Sequence, residues 1–116
     1  MFKEKMLTRT SEFGYQVFLA VKQIKDTRMS QSIINQIVRS TFSIGANYRA
    51  ACLSKSRKDF INKLKIVEDE TDETIYWLSI ILRLELLPVD SVGPLIREGK
   101  ELMAIFVKSI KTAKGL

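Results

Sequence analysis

Phe60, Leu64, Val67, Thr71, Thr74, Leu78 and Ile81 succeed one another at intervals that alternate four and three residues without interruption. This spacing aligns all seven along one face of an α-helix of about six turns, whereas a strand would scatter them over both faces of a sheet. The stripe keeps a heptad rhythm and calls for a packing partner along its full length. It is not the only apolar face. Ile61, Ile75 and Leu82 lie on one flank of the seam and Ile66, Trp77, Ile80 and Leu84 on the other, so the C-terminal half of the segment is apolar nearly all round. A helix of that kind must cover more than one side. A small bundle offers it too few neighbours, which assigns Ile75, Tyr76, Trp77, Ile80 and Leu84 to an interface with another copy of the chain. A merely wide core stripe is the alternative.

The pattern recurs three times elsewhere. Phe13, Val17, Ala20, Val21 and Ile24 mark a helix over about 10–25. Two adjacent stripes mark a second over about 30–54: Ile33, Ile37, Ser40, Ile44, Asn47 and Ala51, and Ile34, Val38, Thr41, Gly45, Tyr48 and Cys52, with Ser30 read as the N-cap. The seam helix covers about 57–85 and opens on Ser56, with Asp59 three residues on as an Asp variant of the capping box. Leu95, Leu102, Phe106 and Ile110 mark a fourth over about 91–113, in which Pro94 fits only the first turn and which frays at 114–116. Connections of a few residues make consecutive helices neighbours. The expected fold is therefore all-α: one domain, 1–116, forming an antiparallel up-down-up-down four-helix bundle that assembles as a homo-oligomer.

Charge divides the chain unevenly. Residues 1–65 carry 13 Lys and Arg against 4 Asp and Glu, whereas residues 66–116 carry 6 against 9. A basic first half points to an anionic partner, nucleic acid ahead of a membrane surface, with complementary packing between subunits or an ordinary solvated face as alternatives. Several chemistries lack their residues. With no histidine, the Glu-x-x-His pairs of di-metal bundles cannot be built, so the acidic run Glu68-Asp69-Glu70-Thr71-Asp72-Glu73 reads as a solvated face or as partners for basic groups on the first two helices. The single cysteine, Cys52, has no histidine to activate it and reads as a small core residue; no glycine-rich phosphate loop occurs. No catalytic residue, metal or cofactor is expected. The charged N-terminal stretch and the absence of any long apolar run lead to the expectation of a soluble, cytoplasmic protein.

The second helix places a glycine mid-helix, within Ser43-Ile44-Gly45-Ala46-Asn47-Tyr48-Arg49, at a cost of up to about 1 kcal/mol relative to alanine. Ser43, Gly45 and Ala46 form a low surface on which another helix can pack closely, with Asn47 hydrogen-bonding across the contact. Alternatively the patch, beside Arg49 and the run Lys55, Arg57, Lys58, admits a partner's backbone or a phosphate. Tyr48, Tyr76 and Trp77 suit either base stacking or a core.

The run SIGANYRAA, followed by SKSRKDFINKLKIV and then DETIYWL, resembles the four-helix-bundle proteins first noticed as open reading frames in intervening sequences of large-subunit ribosomal RNA genes. The resemblance spans about residues 10–110, and 43–78 is its specific part. Ser43, Gly45, Ala46, Asn47, Tyr48 and Arg49 match the motif on the second helix, Asp59 and Phe60 its start on the third, and Glu73, Thr74, Tyr76, Trp77 and Leu78 its later part. Similar proteins often carry Glu where Ala50 and Ser54 stand and Lys where Asp69 stands, so any intersubunit salt-bridge pattern of the family does not transfer to those positions. Accessory proteins of diversity-generating retroelements, which assist a reverse transcriptase and bind nucleic acid, look like distant relatives. The resemblance implies an antiparallel four-helix bundle assembled as a ring-like homopentamer, with no catalytic residues and nucleic-acid binding as the leading role.

Two functions follow as expectations. In the first, a non-enzymatic oligomer binds RNA or single-stranded DNA through Arg39, Arg49, Lys55, Arg57, Lys58, Lys63 and Lys65 with little sequence readout. In the second, it is a structural adaptor for another protein, a reverse transcriptase among the candidates, with no nucleic-acid role.

Overall fold

The computed structural model describes residues 1–116, which form four helices and no strand: α1 Phe2–Val21, α2 Arg28–Cys52, α3 Arg57–Arg83 and α4 Val89–Ala113. The helices lie side by side in a rod of 45 × 22 × 22 Å. No helix is long and apolar enough to cross a membrane. α2 packs against α1 and α3, α3 against α4, and α1 touches α4 least. Gly14 of α1 faces Thr41 and Phe42 of α2, while Gly45 of α2 faces Ser11 of α1.

The seam predicted for α3 is the centre of the core. Leu64, Val67, Thr71, Thr74, Leu78 and Ile81 are all buried, joined by Ile37 and Ile44 of α2, Val17 and Val21 of α1, and Leu102 and Phe106 of α4. Phe60, at the start of the stripe, is only partly covered. Polar members of the stripe keep their hydroxyls satisfied without water. Thr71 Oγ1 donates to the Val67 carbonyl at 2.7 Å, and the hydroxyls of Thr74 and Ser40 lie 2.9 Å apart, linking α3 to α2. A buried hydroxyl with no partner costs about 1–3 kcal/mol, which is why these threonines hydrogen-bond back one turn or across to a neighbour. Thr41 Oγ1 is buried without a partner.

Three helix starts differ from the sequence expectation. α1 begins at Phe2, because Met6 and Thr10 extend its buried stripe toward the N-terminus. The polar Thr10 disguised that continuation; its Oγ1 donates to the Met6 carbonyl at 2.8 Å. α2 is capped by Thr27 and not by Ser30, which is the third helical residue. Thr27 Oγ1 accepts from Ser30 N at 3.0 Å and Ser30 Oγ accepts from Thr27 N at 2.9 Å, a reciprocal capping box built with serine. At α3, Ser56 Oγ accepts from Asp59 N as expected, but the Asp59 carboxylate does not return a bond to Ser56 N, so the cap is one-sided and not a capping box. α4 begins at Val89, which puts Pro94 in the second turn. Gly93 precedes it and has no Cβ to collide with the proline ring, so the helix continues through.

The ends of α3 and α4 close in the same way. Leu86 N donates to the Ile81 carbonyl and Glu85 N to that of Leu82 after α3, and Leu116 N donates to the Lys111 carbonyl after α4, which is therefore tied down where fraying was expected. Each closure needs one residue in the left-handed region: Gly115 at φ 78, and Glu85 at φ 57. A side chain there is strained. Glu85→Gly is expected to raise stability by about 0.5–1 kcal/mol, seen as a Tm a few degrees higher in a thermal melt; a lower Tm would mean that the glutamate makes compensating contacts.

Candidate nucleic-acid interface

The basic residues picked out from the sequence fall into two groups. Arg39, midway along α2, is spent within the chain: Nη1 donates to Glu70 at 2.8 Å and Nη2 to Glu73, both on α3. The Arg39 hydrogen bond holds the Glu73 carboxyl below the ordinary glutamate range, against partial burial, and Trp77 Nε1 adds a second donor at 3.1 Å. Part of the acidic run thus pairs with a cation on α2. Lys63 is likewise occupied, 3.2 Å from Asp59, whose carboxyl it pulls below its usual value. Lys65 is exposed and unpaired further along α3.

Arg49, Lys55, Arg57 and Lys58 are exposed, have no ion-pair partner in the chain, and sit where α2 ends and α3 begins. The fold adds to them residues that the sequence analysis left out. Lys114, after α4, borders a depression shared with Arg57, Lys58 and Asn62. Lys3 of α1 borders a second beside Ser54, and Lys108 of α4 a third beside Phe2 and Phe60. One end of the bundle therefore gathers unpaired cations from all four helices. In a four-helix chain with short loops both termini return to the turn between the second and third helices. That topology was the available signal for Lys3, Lys108 and Lys114.

Of the small-residue motif, Gly45 and Tyr48 pack inside the bundle. A Cβ on Gly45 would lie 3.6 Å from Ser11 N and 3.7 Å from its Cα, so the glycine faces the backbone of α1 at ordinary contact distance. Asn47 does not bridge helices: Nδ2 donates to the Ser43 carbonyl at 2.9 Å and to Ser43 Oγ at 2.8 Å, within its own helix. Ala46 is exposed beside them. Tyr48 is buried against Phe106, ring centroids 6.0 Å apart, and desolvation with the neighbouring Cys52 thiol pushes its hydroxyl up to about 12. Burial also pushes the Cys52 thiol upward, away from the reactive thiolate.

On α3, Ile75 faces inward, against Gly99 of α4. Trp77 is half-buried on the core, Ile80 is half-buried, and Tyr76 and Leu84 are exposed. Sequence reading also missed the clamp that joins the first and last helices: Arg9 donates twice to Glu98, at 2.7 and 2.8 Å, and lies 2.7 Å from Glu101. It borders an open groove of about 750 Å³ between α1 and α4, with Phe13 and Leu95 on its walls.

The model of the 23S rRNA-intervening sequence protein family matches residues 3–108. Among solved structures, the chain is similar to a protein of unknown function from the S23 ribosomal protein family of Bacteroides thetaiotaomicron, at 34% identity. That likeness covers 96% of this chain and 99% of the other, with a TM-score of 0.79. No curated protein matches.

Proposed function

This chain belongs to the 23S rRNA-intervening sequence protein family, and on that premise we propose that it is a non-enzymatic nucleic-acid-binding protein. It holds the phosphate backbone of RNA or single-stranded DNA at the basic end of the bundle, with little sequence specificity. The observation that carries the reading is the convergence of Lys3, Arg49, Lys55, Arg57, Lys58, Lys108 and Lys114 without internal counterions. Cations already paired gain little from a phosphate, whereas unpaired ones release its condensed counterions. The reading takes the bundle as antiparallel throughout and the working form as a homopentamer, so the basic end repeats around one rim and weak contacts become avid. Under it the protein works in the cytoplasm, and a reverse transcriptase, the partner expected from the sequence resemblance to retroelement accessory proteins, is a candidate.

Charge reversal tests it. The triple variant Arg57→Glu, Lys58→Glu, Lys114→Glu is expected to lower affinity for a labelled single strand on the order of 100-fold in fluorescence anisotropy, alike for all sequences. Arg39→Gln, which removes a cation already paired with Glu70 and Glu73, is expected to leave affinity unchanged. Equal losses from both, or none from the triple variant, would refute the assignment to this end. The α1–α4 groove favours the second reading, an adaptor, because its walls combine the apolar Phe13, Pro94 and Leu95 with charges of both signs, Glu4, Lys5 and Glu12; such a groove suits an amphipathic segment of another protein.

A further inference from the structure

The basic end is not uniformly polar. Between the start of α1, the start of α3 and the last turns of α4 lies a recess of about 490 Å³, bordered by Phe2, Phe60 and Ile105, with Lys108, Ser109 and Thr112 at its polar side. A smaller recess of about 260 Å³ shares Phe2, Phe60 and Ser109 and runs toward Lys3, Ala51 and Cys52. Phe2 stands on the border of both and is 58% exposed. We propose that these recesses accept unpaired nucleobases, with Phe2 and Phe60 as the aromatic walls, so that the protein selects single strands over duplex. The inference rests on the nucleic-acid reading above and adds a ligand class to it.

The chemistry favours a base over other occupants. A flat aromatic ring covers apolar wall with its faces and offers its polar edge to hydroxyls such as those of Ser109 and Thr112. The surrounding charge supplies the rest: Lys3 and Lys108 border the recesses, and Arg57, Lys58 and Lys114 border the adjoining depression, at positions where the phosphates of a strand would pass. An uncharged apolar ligand would leave these cations without a role. A duplex keeps its bases stacked and paired, so none can enter a recess.

The experiment compares a thymidine oligonucleotide of about 20 residues with an abasic strand of equal length and charge, by anisotropy at fixed salt. The wild-type protein is expected to bind the thymidine strand about 5- to 100-fold more tightly than the abasic one. Phe2→Ala removes an exposed side chain and should abolish that preference while leaving affinity for the abasic strand unchanged. Thr112→Trp, which fills the larger recess from an exposed position, should do the same, with circular dichroism confirming that both variants fold. Equal wild-type affinity for the two strands, or a preference that survives both variants, would overturn the base recess and leave the phosphate-binding function standing. Binding of neither strand would overturn both.

Discussion

Replacing Gly99 with leucine is expected to destabilise the protein by about 3 kcal/mol, and the physical reason lies in three helices at once. A Cβ built on Gly99 would lie 2.9 Å from Ile75 Cγ1 and 3.4 Å from both Ile75 Cδ1 and Phe13 Cζ. The first distance is shorter than side-chain carbons tolerate, and the atom concerned is next to a branched Cβ and cannot swing away freely. Overpacking of this kind costs about 1–3 kcal/mol, and leucine adds three more carbons at the same point. The gain in helix propensity over glycine offsets at most about 1 kcal/mol. Gly45→Ala makes the contrast, because its new methyl meets Ser11 at ordinary contact distance and keeps the propensity gain. Thermal or urea unfolding should rank Gly45→Ala at or above wild type and Gly99→Leu lowest, with a Tm depressed on the order of 10 °C. A Gly99→Leu protein as stable as wild type would mean that α4 does not sit against α3 and α1 as described.

The second large effect is on mass. Tyr76 and Leu84 are more than half exposed on α3, and Ile66 on the same helix is 46% exposed, with Ile80 half-covered. Burying a side chain of this size is worth about 1.5–3 kcal/mol, so a repeated contact across several such residues can hold copies together. Light scattering at micromolar concentration is expected to give several times the 13.3 kDa of one chain. Ile80→Glu with Leu84→Glu should reduce it to a single chain while helix content persists, because neither residue belongs to the buried core. A wild-type monomer, or a double variant that keeps its mass, would remove α3 from any interface.

How much of this was legible in the sequence depended on whether one chain segment or two determined the feature. The alternating spacing of Leu64, Val67, Thr71, Thr74, Leu78 and Ile81 is a property of one helix, and every one of the six is buried. The four helices and the Ser56 cap were legible for the same reason. Start points were less so: Thr10 looked polar, although its hydroxyl folds back on its own helix, and Thr27 lay hidden three residues before a serine that fits the same role. Properties set between helices were the hardest to read. Gly45 drew attention through its motif, but the crowded glycine is Gly99, whose neighbours lie 24 and 86 residues away in sequence at Ile75 and Phe13. Arg39 looked like its basic neighbours until Glu70 and Glu73 were brought beside it, and Lys3, Lys108 and Lys114 joined the candidate site only when both termini came to one end.

The most direct test of the basic end as a phosphate-binding surface is the salt dependence of binding by the wild-type protein, freed of carried-over nucleic acid. For a single strand the logarithm of the association constant should fall linearly with the logarithm of salt, by about 0.7 for each phosphate neutralised. Four or more cations engaged per subunit give a slope of about −3 or steeper, and reversing Arg57, Lys58 and Lys114 should flatten it by about 2. A slope near zero, or no binding even at low salt, would contradict the account.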